Sequence, residues 1–252
     1  MARQKGIIKL KGTVGGITFY KTKDGHLARE KGGIDAKRIA TDSAFQRTRE
    51  NGTEFGRAGK AGKVLRVALR LLLLNASDNR VVSRLHQAMI KVIQADTVSE
   101  RGKRNVIDGE AELLTGFEFN INGKLGSSLF TAYTAIINRT AGTLDIDIPS
   151  FIPSHMIAAP NGTTHFKLIS GGAEIDFENK TSVVETSETS ILPWNVNVTS
   201  AITLSNAVTT NSIHPLFLAL GLEFYQEVNG SMYPLKNGAY NALSLIKVDG
   251  GV

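Results

Sequence analysis

The chain is 252 residues long and carries 29 lysines and arginines against 23 aspartates and glutamates, with five histidines and no cysteine. That length supports a sizeable core without covalent staples, and the lack of cysteine excludes disulfides, thiolate metal sites and a cysteine nucleophile. The net charge of +6 conceals a division: residues 1–104 hold 23 basic against 9 acidic side chains, and residues 105–252 hold 6 against 14.

The N-terminal MARQKGIIKLKG is charged, and no apolar run of signal-peptide length follows it, so the expectation is a soluble chain left in the cytoplasm. In residues 6–33 the alternation sets Ile8 and Leu10 against Lys9 and Lys11, which predicts a half-buried strand. After Gly15-Gly16, the β-forming ITFYKTK leads to Asp24-Gly25, a dipeptide suited to a two-residue hairpin turn, with HLAREK as the return strand. Lys9, Lys11, Lys21 and Lys23 are read first as the wet side and edges of this small sheet, where charge discourages edge-to-edge aggregation. Their second reading is a docking surface.

From Asp42 the pattern turns helical, with Asp42 or Ser43 as cap and helix formers dominant from Ala58 onward. Gly52, Gly56, Gly59 and Gly62 each cost a helix interior about 1 kcal/mol, so this segment is either interrupted or supported by close packing. Arg57, Lys60, Lys63, Arg66 and Arg70 recur every three or four residues as a cationic band beside Leu65, Val67, Leu69 and Leu72. A second helix is predicted in residues 78–96, with Asp78 as N-cap and an apolar stripe of Val82, Leu85, Met89 and Val92 or Ile93. The apolar run Leu71–Leu74 is far too short to span a bilayer.

SERGKRNVIDGE reads as an exposed connector and FEFNINGK as a strand entering a turn. Beyond Gly123 the chain breaks into short β-rich segments: TAYTAIINRT, TLDIDIP, THFKLISGG, AEIDFENK, SVVETSE, PWNVNVTSAITL, HPLFLALGLEFYQEVNG and ALSLIKV. The predicted class is α+β: a small basic β-hairpin plus helical region over residues 1–124, then an antiparallel, immunoglobulin-like β-sandwich over residues 125–252. Phe224, Tyr225 and Tyr233 flank an Asn229-Gly230 turn, and any that face outward are of the types interfaces favour. Trp194 is read as a core anchor.

Tests for chemistry fail. GRAGKAGKV has the wrong spacing for a phosphate-binding loop and places Val64, not a hydroxyl residue, after Lys63. The histidines are scattered, with no pair at metal-ligand spacing, so no metal and no cofactor are expected. Asp145 and Asp147 share one side of a strand and read as a solvent face more readily than as an acid–base pair. The expectation is a non-enzymatic protein whose cations meet either an acidic protein mouth or, as the alternative, nucleic acid. No helix-turn-helix, zinc-finger or RNA-binding signature accompanies the band.

KGIIKLKGTVGGITFYKTKDGHLAREKGG, FQRTRENGTEFGRAGKAGK, VIQAD with RGKRNV, and EFYQEVNGSMYPLKNGAYN together resemble a family of Bacteroidota proteins, over essentially the whole chain. That family includes the plug of the type 9 secretion system's outer-membrane translocon. The resemblance implies a cofactor-free protein-binding subunit whose partner is a large outer-membrane β-barrel, occluded at its periplasmic opening without insertion of the plug into the bilayer. It would place the chain at the periplasmic face of the outer membrane, against the cytoplasmic expectation drawn from the N-terminus.

Overall fold

The computed structural model describes residues 1–30 and 33–251. In chain order the elements are strands β1 (Ala2–Arg3), β2 (Gly12–Val14), β3 (Ile17–Thr22) and β4 (Gly25–Glu30), then helices α1 (Ala36–Thr41), α2 (Gln46–Ala68), α3 (Arg70–Asn75), α4 (Val81–Gln94) and α5 (Leu125–Ser128). They continue with β5 (Thr134–Asn138), β6 (Thr143–Ile148), α6 (Pro153–Met156), β7 (His165–Asp176), β8 (Thr181–Glu188) and β9 (Leu192–Pro193). The chain ends with β10 (Ile202–Ala207), β11 (Leu216–Val228), β12 (Ser231–Pro234) and β13 (Ala242–Asp249). It divides into two compact units, Met1–Arg49 and Glu50–Val252, the division falling in the first turn of α2.

The first unit holds a four-stranded antiparallel sheet in the order β1-β4-β3-β2. Its hairpin pairs Thr22 with Gly25, so Lys23 and Asp24 make the turn and the positive φ (111°) falls on the glycine that follows it. The Asp-Gly signal thus locates the turn one residue late. Lys31, the last residue of the predicted return strand, lies outside the described residues. The half-buried strand expected at Ile8–Lys11 does not form. The Gln4 side chain replaces its ladder, donating from Nε2 to the carbonyls of Leu10 (3.3 Å) and Leu27 (3.0 Å) and accepting the Leu10 N–H at 2.8 Å. Ile8 is 81% exposed as a result.

The second unit is layered around two long strands. β7 and β11 pair antiparallel from Leu216–Glu174 to Tyr225–His165. β8 and β9 continue the sheet beside β7, while β12 and β13 share the far side of β11. Strand period two sorts the side chains. Ala173, Ile175, Phe217, Ala219, Leu243 and Leu245 join an apolar layer with Leu65, Leu69, Leu85 and Met89 of the helices. Leu216, Leu218, Leu220, Leu222, Phe224 and Phe166 instead meet Leu144, Ile146 and Ile148 of a smaller antiparallel sheet ordered β10-β6-β5. The fold is α+β and mostly strand, with two antiparallel sheets packed in a sandwich-like manner and helices on the outer face of the larger one.

This layering corrects the expected boundary near Lys124. Residues 58–119 contribute helices to the same interior as β7, β11 and β13, because the larger sheet is apolar on both faces and needs cover on each. Four sequence segments also change state. THFKLISGG and AEIDFENK are one strand, β7, running through Gly171-Gly172; FEFNINGK keeps only a bridge from Glu118 to Ser244; and residues 195–201 form no strand.

Candidate functional site

Helix α2 runs unbroken through its four glycines. A β-carbon at Gly62 would meet Leu85 at 3.6 Å and one at Gly59 would meet His86 at 3.9 Å, so these two permit close approach of α4, whereas Gly52 and Gly56 face open space. Packing therefore supports only half of the segment. In α4, Leu85, Met89, Val92 and Ile93 are buried as predicted, but Val81 takes the place expected for Val82. Asp78 lies just ahead of the helix and accepts the Arg80 N–H at 2.6 Å.

The cationic band is split by its own surroundings. Arg57 turns inward, its Nη1 donating to the carbonyls of Gly102 and Arg104, both at 2.9 Å, so it ties a connector to the helix and is not offered to a partner. Lys60, Lys63 and Arg70 are exposed and Arg66 is half-buried. Leu65, Leu69 and Leu72 face the interior, while Val67 stands exposed among the cations. Two hollows meet along this face. One of about 190 Å³ is lined by Arg57, Lys60, Ala61, Val64 and Phe177; one of about 370 Å³ is lined by Lys60, Lys63, Val64, Val67, Lys180 and Ser182. They share Lys60, Val64 and Lys180. Neither Lys60, Lys63 nor Lys180 has an ion-pair partner among the described residues.

In the first unit Lys9, Lys11, Lys21 and Lys23 are exposed, and Lys9 Nζ donates to the Gln4 carbonyl at 2.5 Å. No described residue of Met1–Arg49 is buried, and Ile7, Val14 and Ile17 lie exposed among the lysines. Charge follows the same division. Residues 1–49 carry 12 basic against 4 acidic side chains, net +8, and residues 50–252 carry 17 against 19, net −2. The second body is nearly neutral because the cations of α2 and α4 share it with the acidic strands.

The aromatic trio does not form one surface. Phe224 is 1% exposed and belongs to the layer between the sheets, which removes it from any docking face. Tyr225 is half-buried, its hydroxyl donating to Glu223 Oε2 at 2.7 Å; burial and the Glu223 carboxylate push its ionisation up to about 12. Tyr233 on β12 is exposed beside the Asn229-Gly230 turn, where both residues have positive φ as the dipeptide predicts. Trp194 is half-buried against the same layer, its Nε1 donating to the Ile157 carbonyl at 3.2 Å.

Asp145 and Asp147 share one side of β6, and β10 supplies each with a hydroxyl donor: Ser205 for Asp145 and, at 2.7 Å, Thr203 for Asp147. Among the described residues no group of three or more histidines, aspartates and glutamates is placed to hold a metal ion, and no helix is long and apolar enough to cross a membrane. Sequence reading missed the hollow between α2 and β8. Lys180 was its one available signal, a cation in the turn that returns β7 to β8.

No family model and no curated protein matches the chain. Among solved structures it is similar, at 10% identity, to one concerning pH-induced modulation of adhesion by the Fap1 fimbriae of Streptococcus parasanguinis, over 46% of this chain and 80% of that one, with a TM-score of 0.22. It is also similar to the reeler domain of human F-spondin, at 10% identity over 49% and 97% of the two chains, with a TM-score of 0.16. At these scores neither likeness carries an argument.

Proposed function

We propose that the chain is a non-enzymatic docking subunit that occupies an opening in a larger protein, the partner being an outer-membrane β-barrel of the type 9 secretion class. One observation carries this reading: the first 49 residues hold a charge of +8, none of the described ones is buried, and Lys9, Lys11 and Lys21 are exposed together with Ile7, Val14 and Ile17. Such a module gains by burying its apolar groups against a partner whose carboxylates answer its lysines. The layered second body, read as an immunoglobulin-like sandwich with helical cover, would supply the bulk that closes the opening. The work is steric and electrostatic, and the family resemblance of the sequence supplies the partner class.

The test is a pull-down with an affinity-tagged full chain, carried out separately on detergent-extracted outer membranes and on nuclease-treated cytosol. Recovery of a stoichiometric barrel protein from the membrane fraction is the expected result. Retention on random duplex that falls steeply with salt, with no barrel recovered, would replace this function with polyanion binding at the same lysines.

A further inference from the structure

Strand β8 forms an edge of the larger sheet along its whole length. It pairs only with β7, from Ile169–Glu188 to Asp176–Thr181, and its other side has no backbone partner among the described residues. Edge strands of this length are ordinarily blunted by charge, proline or a bulge. Here the sequence TSVVETSE has no proline, and both of its acids are engaged elsewhere: Glu185 accepts the Ala207 N–H of β10, and Glu188 pairs with Lys167 at 2.9 Å. Val183 and Val184 are left exposed along the open edge.

The register places the 370 Å³ hollow beside that edge. Val184 stands opposite Ala173 and Ser182 opposite Ile175, both on the helix side of the sheet, and Ser182 itself lines the hollow with Lys60, Lys63, Val64, Val67 and Lys180. Three lysines without ion-pair partners among the described residues thus ring an apolar floor at the Thr181 end of an edge strand. We infer that β8 and this hollow form a binding site for an extended acidic peptide, which adds to the sheet as a further strand and sets its carboxylates against Lys60, Lys63 and Lys180. Main-chain pairing would supply affinity, and the lysines would fix which end of the peptide lies over α2. This site goes beyond the docking of residues 1–49 and does not depend on it.

The probe is a dye-labelled eight-residue peptide, Glu-Val-Glu-Val-Thr-Val-Thr-Val, titrated into the full chain by fluorescence anisotropy, with amide hydrogen exchange followed over residues 181–188. Saturable binding is expected, with exchange slowed at alternate β8 amides and affinity reduced at least tenfold by K60E/K63E or by lysines in place of the peptide's glutamates. Should K60E/K63E not fold, Lys180→Asn keeps a residue that tolerates the left-handed turn at φ 61° and removes the third cation, with a loss of about threefold expected. Absence of binding to the folded chain would overturn the proposal. So would binding that leaves β8 exchange unchanged, or protection of β8 in the free chain that grows with concentration, the mark of a second copy on the same edge.

Discussion

Asp96 is 1% exposed and sits after α4, where one carboxylate oxygen accepts the N–H groups of Val98 (2.9 Å) and Ser99 (2.8 Å) and the other accepts Asn105 N–H at 3.0 Å. Burial opposes its ionisation, but these backbone donors outweigh burial and hold the carboxyl below its ordinary value. A carboxylate depressed in the folded state adds stability above its unfolded pKa of about 3.9, and loses that contribution as pH falls through the lower folded value. Asp96→Asn is therefore expected to cost about 2 kcal/mol at pH 7 by denaturant unfolding, and the gap from wild type should narrow below pH 4. A gap constant with pH would mean that the amide fails by shape and not by charge. At this scale the sequence was half informative about the site. Alternation separates Phe224 from its neighbours but leaves open which face is covered, and the smaller sheet covers the face that Phe224 occupies. Arg57 looks like Lys60 in a helical projection, and only the connector carbonyls brought to it distinguish the two.

Elements were legible where one face meets water. Leu144, Ile146 and Ile148 alternate with Asp145, Thr143 and Asp147, and α4 shows a clean stripe. They were illegible where glycine does two jobs. Gly171-Gly172 reads as a turn, yet it is the centre of β7: a β-carbon on Gly171 would lie 2.4 Å from Leu72 of α3, and one on Gly172 would lie 2.7 Å from Asn206 of β10. The pair lets a helix and a second sheet approach opposite faces of one strand. Gly172→Ala should then destabilise by about 1–3 kcal/mol, since the neighbour across it is a buried side chain with little room to move. Gly56→Ala, whose new methyl meets nothing within 4 Å on α2, should stabilise by about 0.5–1 kcal/mol. Chemical denaturation of both variants checks the pair, and equal losses would show that α2 needs flexibility and not merely space at Gly56.

Across the whole molecule, composition revealed that charge is segregated but misplaced the seam. Counting along the chain set it near residue 104, because the helices of residues 50–94 are basic; packing joins those helices to acidic strands and moves the excess to the first 49 residues. Long-range layering of this kind leaves no local signature, since β11 is covered on one face by helices of residues 58–93 and on the other by β6, both far from it in the chain. Docking is proposed to run through that N-terminal module. Its most direct test is the affinity of the full chain for the purified outer-membrane barrel proposed as its partner, at physiological salt, with wild type compared against K9E/K11E/K21E/K23E and against K91E/K124E as a reversal confined to the second body. At least a tenfold loss is expected for the first variant and less than a twofold change for the second. Unchanged affinity in the first variant, or losses that follow net charge wherever it is placed, would contradict it.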